Sequence, residues 1–240
     1  MPQLHAGSAI LRTIDDLRGP AGRLEALLNA GAPDAPYAAL VCHPHPLGGG
    51  TLHNKVVYHA MKALQSFGLP VLRFNFRGTE LSEGQHDYGQ GEQDDVRAAL
   101  DWLDREFQRP ILFAGFSFGC YVGLRACCGD PRVVGLVALG LPAHAEGRDY
   151  EYDFLRNCPQ PKLFISGDHD PYGPVPAVEA AVARAPAPKQ LVWIAGADHF
   201  FAPARATGST APPPAGSKLE EVRNAIRIWA RASFPSLGGQ

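Results

Sequence analysis

Ile111-Leu-Phe-Ala-Gly-Phe-Ser-Phe-Gly119 joins an apolar run to a G-x-S-x-G pentapeptide. That junction predicts a strand turning sharply into a helix at Ser117. A serine on such a turn has its hydroxyl held out over the edge of a sheet, where a reacting group can reach it. Gly115 and Gly119 leave room for the strained backbone beside its neighbours. Alone, the pentapeptide is a modest signal, because a shuffled chain of this composition contains one roughly one time in ten. Its weight comes from an acid and a histidine further along, in the order and setting a serine nucleophile needs.

On either side of this turn, strand-like and helix-like runs alternate, which predicts an α/β fold. Strands are expected at 8–13, 23–29, 37–42, 71–76, 111–115, 133–139, 162–166 and 190–194. Helices are expected at 55–67, 92–107, 120–126, 175–184 and 219–233. The result is a mostly parallel central sheet of about seven to eight strands with helices on both faces. The first two strands read as antiparallel, separated by Arg18-Gly-Pro-Ala-Gly22. Residues 142–160 hold at most a short helix, too little for a substantial cap over the sheet edge. Residues 202–217, with Pro212-Pro-Pro214, read as a flexible Pro/Gly/Ser-rich surface loop, with a mobile rim beside the site as the alternative. With no repeats and no second composition, residues 1–240 are expected to form one domain.

The 240 residues are 45% hydrophobic and 19% charged, the profile of a globular protein with a sizeable core. A net charge of −2 gives no basic footprint for nucleic acid or an anionic membrane. Apolar runs such as 133–141 are far shorter than the roughly 20 residues that span a bilayer. The N-terminus lacks a signal-peptide core. Cysteines 42, 120, 127, 128 and 158 are odd in number and without C-x-x-C spacing. Several sit in apolar runs, so buried thiols in a reducing, cytoplasmic setting are expected.

A serine hydroxyl is a poor nucleophile unless a base takes its proton, and the base must itself be oriented. His199, in Ala195-Gly-Ala-Asp-His-Phe-Phe201, follows the last expected strand on a turn and is the candidate base. The acid lies in Ser166-Gly-Asp-His-Asp-Pro-Tyr172 at the preceding strand end. Asp168 and Asp170 both project towards the crevice there. Asp170, three residues after Gly167, is the favoured one. The order Ser117, Asp170, His199 is that of a nucleophile-elbow enzyme. A developing oxyanion needs two donors. One is the backbone N–H of Phe118. The other comes from His43-Pro-His-Pro-Leu-Gly-Gly-Gly50. Pro44 and Pro46 have no N–H, leaving His45, Leu47 and the glycines, with Leu47 favoured. Phe116, Phe118, Phe200 and Phe201 are candidates to line the acyl or alcohol side. A metal site at His43 and His45 lacks partners at ligand spacing.

Taken together, these stretches resemble the α/β-hydrolase superfamily, and more narrowly its small, capless, dienelactone-hydrolase-like serine esterases. The resemblance rests on Cys42-His-Pro-His-Pro-Leu-Gly-Gly-Gly50, Asn54-Lys-Val-Val57, Arg73-Phe-Asn-Phe-Arg-Gly78 and Gly89-Gln-Gly-Glu-Gln-Asp-Asp95, then the serine turn, Gly167–Asp170 and Gly196–His199. It implies an α/β-hydrolase fold without a substantial cap domain. Arg77, Glu92 and Asp95 match its pattern and read as an ion-pair set holding the loop after Phe76, with Arg77 as a substrate-carboxylate clamp the alternative. Serine at 117 departs from the cysteine of dienelactone hydrolases proper. It also excludes the branches that need an aspartate at this turn.

The expected activity is a serine hydrolase of carboxylesterase type, acting on small, short-chain acyl esters without cofactor or metal, as a monomer or homodimer. A thioesterase, acyltransferase or small peptidase would use the same three residues. A non-catalytic binding protein of this fold would leave Ser117 unreactive.

Overall fold

Eight strands hydrogen-bond into one sheet in the computed structural model, which describes residues 10–204 and 215–238. They are β1 (Leu11–Ile14), β2 (Ala26–Asn29), β3 (Ala38–Cys42), β4 (Val71–Phe74), β5 (Ile111–Phe116), β6 (Val133–Leu139), β7 (Lys162–Gly167) and β8 (Lys189–Ile194). Their order is β1-β2-β4-β3-β5-β6-β7-β8. β2 is antiparallel to β1 and β4. Every pairing from β4 across to β8 is parallel. The central strands β3, β4, β5 and β7 are buried along their whole length, which is why they read as continuous apolar runs rather than alternating ones.

Helices α1 (Lys55–Gln65), α2 (Gly91–Phe107), α3 (Phe118–Cys127), α4 (Val175–Arg184) and α5 (Leu219–Ser233) cover the two faces. Successive β5 side chains go to opposite cores. Ile111 and Phe113 join α2 and α3, whereas Leu112, Ala114 and Phe116 join α1 and α5. Asn54 starts α1 by accepting the Val56 N–H at 2.9 Å. From β3 the chain winds one way to β4, then crosses to β5 on the other side of β3. Right-handed crossovers put the helices of the two halves on opposite faces, and the reversal opens a crevice at the carboxyl ends of β3 and β5.

The structure departs from the expected elements in four places. The strand expected at 23–29 is broken: Gly22–Arg23 pairs with Arg18–Gly19 in a small ribbon, and β2 starts at Ala26. Between them Leu24 donates to Leu17 O and Glu25 N–H to Ser82 Oγ, so neither joins the ladder. α3 begins at Phe118, directly after the serine, rather than at residue 120. Residues 142–160 contain a hairpin, His144–Ala145 with Arg148–Asp149, besides a 3-10 turn at Asp153–Asn157. There is no cap domain among the described residues. Lastly, Cys128 and Cys158 are disulfide-bonded, which corrects the expectation of five thiols. Cys42, Cys120 and Cys127 are free and buried. Of the loop expected at 202–217, residues 205–214 lie outside the described ones, as do Ser8 and Ala9. No helix among the described residues is long and apolar enough to cross a membrane.

Candidate active site

Ser117 has φ +54° and ψ −121°, a conformation that L residues seldom adopt. Its N–H is tied to Leu139 O on β6 at 2.9 Å, and its carbonyl accepts the Tyr121 N–H in the first turn of α3. The turn is possible only because its flanks lack side chains. A Cβ on Gly115 would stand 2.6 Å from Gly119 O, and one on Gly119 would strike the carbonyl oxygen of His43. Packing the turn this tightly leaves the serine side chain at the open end of β5.

His199 follows β8, and its ring reaches across the crevice. Nε2 lies 2.9 Å from Ser117 Oγ, and Nδ1 lies 2.7 Å from Asp170 Oδ2. A carboxylate can only accept, so Nδ1 carries the proton and Nε2 is left to accept from the serine hydroxyl. Asp170 Oδ1 in turn accepts the N–H groups of Tyr172 at 2.8 Å and Gly173 at 3.2 Å. All three side chains are nearly buried. The ring of Phe116 lies beneath the imidazole at 5.0 Å, and those of Tyr172 and Phe200 stand edge-on at 4.8 and 5.3 Å. The structure thus brings Ser117, Asp170 and His199 together. It does not bring Asp168, whose Oδ1 accepts the Gly196 N–H at 2.6 Å and pins the turn after β8.

Donors for an oxyanion lie at two backbone positions. Phe118 is the first residue of α3, where N–H groups have no intrahelical partner. In the loop after β3 the glycine N–H groups are already used: Gly48 and Gly50 donate to His45 O, and Gly49 to Pro46 O. Among the described residues this leaves the amides of His45 and Leu47. His45 lines the same cleft as Ser117. Leu47 is not among the lining residues, and its side chain is 70% exposed. Leu47, the favoured second donor, and His45 both keep an amide without a backbone partner among the described residues, and of the two His45 lines the cleft.

His43 is a structural bridge. Its Nδ1–H donates to Pro44 O at 2.7 Å and its Nε2 accepts the Phe76 N–H at 2.9 Å, so neither nitrogen is available to a metal. Complete burial pushes its pKa down to about 3. Burial likewise lowers the pKa of His45. Arg77 is engaged by Asp95, with Nη2 2.8 Å and Nε 3.0 Å from its oxygens, and lines no part of the cleft. Glu92 is buried and accepts the N–H groups of Asp87 and Gly89. The expected set is thus split, Arg77 pairing with Asp95 while Glu92 lies 2.8 Å from His86 Nδ1, and both parts belong to the scaffold. Of the four phenylalanines expected along the cleft, Phe200 alone lines it. Phe116 and Phe201 are core residues, and Phe118 packs against His45 and Phe76. Asn54, Ala145, Glu146 and Tyr172 also line the wall and were not foreseen from sequence. Only the proximity of Tyr172 to Asp170 offered a signal.

Residues 38–228 match the family model described as an alpha/beta hydrolase domain. A Rickettsia prowazekii protein, described as uncharacterized, is 39% identical over 191 residues, 76% of this chain and 79% of that one. An alpha-beta serine hydrolase homologue from Coxiella burnetii superposes with a TM-score of 0.74 at 33% identity, covering 95% of this chain and 99% of that one. An α/β serine hydrolase without lid from Xanthomonas campestris does so with a TM-score of 0.76 at 32% identity, covering 98% and 99%.

Proposed function

The chain belongs to the α/β-hydrolase family, and we propose that it is a serine hydrolase cleaving small carboxylic esters, with Ser117 as nucleophile, His199 as base and Asp170 as orienting acid. The observation that carries this reading is the unbroken relay from Asp170 Oδ2 through the imidazole to Ser117 Oγ, 2.7 and 2.9 Å, on a strained turn. His199 Nε2 takes the hydroxyl proton as Oγ attacks the ester carbonyl. The imidazolium that forms is stabilised by the ionised Asp170. The tetrahedral oxyanion is met by the Phe118 N–H and by a second amide from the loop after β3, that of Leu47 or of His45. Imidazolium then protonates the leaving alcohol, and water activated by His199 releases the acid from the acyl-enzyme.

The missing cap supports short acyl chains, since nothing among the described residues encloses a long one. We read residues 1–240 as one catalytic domain, supported by a single sheet that runs from Leu11 to Ile194. Three buried free thiols support a cytoplasmic setting, and the Cys128–Cys158 bond argues against it.

The test is a fluorophosphonate label together with p-nitrophenyl esters from acetate to laurate. Labelling at Ser117 and hydrolysis falling with chain length are expected, both lost in folded Ser117→Ala. Equal turnover by that variant would refute the assignment.

A further inference from the structure

Among the described residues lining the cleft at Ser117, Glu146 is the one with a formally charged side chain. The rest are Pro44, His45, three glycines, Asn54, Ala145, Tyr172, Phe200 and the pair Ser117 and His199. Two of them, Tyr172 and Phe200, are large aromatic rings left 40% and 52% exposed. A carboxylate sharing a cleft with partly exposed aromatic residues is the chemistry that recognises an alkylammonium group. The carboxylate attracts by charge, and the rings attract by their negative faces without having to desolvate a hydrogen-bonding partner.

Two further observations show that Glu146 is placed and left free. It occupies the turn of the His144–Ala145/Arg148–Asp149 hairpin with φ +50°. Two-residue hairpin turns take Asn, Asp or Gly at such positions, and a long side chain there is an uncommon, strained choice. From this turn Glu146 lines the cleft. Second, among the described residues it has no ion-pair partner, and its one hydrogen bond comes from Tyr150 Oη at 3.1 Å. Arg148, two residues on, donates to Tyr88 O at 2.7 Å and lies over the Tyr150 ring at 4.7 Å, outside the cleft lining. His45, the other titratable neighbour, is buried, and its Nδ1 has no partner among the described residues.

Resting on the serine-hydrolase reading, we propose that Glu146, with Tyr172 and Phe200, selects esters bearing an alkylammonium group and disfavours those bearing a carboxylate. Because Glu146 is solvent-exposed, its field is screened and the selectivity is moderate.

The experiment compares kcat/KM for three p-nitrophenyl esters on the full chain. They are the 4-(trimethylammonio)butanoate, its uncharged isostere the 5,5-dimethylhexanoate, and the monoester of glutaric acid. Comparing each substrate between enzymes cancels its intrinsic reactivity. In Glu146→Gln the cationic-to-uncharged ratio is expected to fall roughly five- to tenfold and the anionic-to-uncharged ratio to rise, with both shifts shrinking at high salt. Glu151→Gln, an exposed carboxylate outside the cleft, should leave both ratios within twofold of the parent. Ratios unmoved by Glu146→Gln, or moved equally by Glu151→Gln, overturn the proposal while hydrolysis of the uncharged ester by the parent still stands. No Ser117-dependent turnover of the uncharged ester overturns both readings.

Discussion

Ser117 and His199 are joined by a hydrogen bond whose two ends are 82 positions apart in the chain, and each end is held by strain or burial. The distinction between Asp170 and Asp168 rests on one bond each. Asp170 accepts from the imidazole and Asp168 from the Gly196 amide. Asp170→Asn offers the ring a donor or a weaker acceptor, so turnover should fall on the order of 10⁴-fold with the fold intact. Asp168→Asn should cost stability, by about 1 kcal/mol, far more than it costs rate. Steady-state kinetics beside urea titrations of both variants separate the two, and a larger rate loss at Asp168 would reverse the assignment. The triad residues were legible because each follows a recognisable apolar run. The second oxyanion donor was not: choosing between the His45 and Leu47 amides depends on where the Pro46–Gly48 turn points, and no residue type encodes that direction.

The helices and hairpins show the same contrast. A helix was expected at 55–67, and α1 fills Lys55–Gln65 of it; its cap at Asn54, whose side chain accepts the Val56 N–H, was not read from the sequence. Asn54→Ala should remove about 1 kcal/mol of stability, read as a lower urea midpoint at unchanged slope. Because Asn54 also lines the cleft, KM is the second readout. The His144–Asp149 hairpin has only two residues per strand, too few for any alternation to register, so it was missed. It is nonetheless the element that carries Glu146 into the cleft. The Cys128–Cys158 bond closes a loop of 30 positions from the end of α3 to the end of the 3-10 turn. Reduction should cost about 3–4 kcal/mol by loop closure, measured as the difference in unfolding free energy with and without reductant. No difference would mean that the bond does not form in solution. Spacing alone gave no sign of it, since any of the five cysteines could have met another.

Across the molecule, pH stability should bear the mark of His43. Its pKa lies at about 3 in the folded chain against the ordinary 6.5. Between those values the unfolded chain holds a proton that the folded chain excludes. Acidification from pH 6.5 towards 3 therefore favours unfolding, by up to about 1.4 kcal/mol per pH unit from this group. His43→Gln, which keeps an acceptor for the Phe76 N–H, should flatten that part of the profile. An unchanged profile would show that His43 takes up its proton without unfolding.

Composition, the alternating runs and the G-x-S-x-G turn were enough to determine the α/β class, the near-complete strand set and the three residues of the relay. Those are local properties, since burial on both faces selects apolar strands and a strained turn selects glycines. What only tertiary structure decided was which cysteines bond, which side chains wall the cleft and which backbone amides Asp168 and Asp170 accept from. Apart from the Asp170 amides, each of those depends on the distance between segments far apart in the chain, and that distance is set by the sheet order and the reversal at β3.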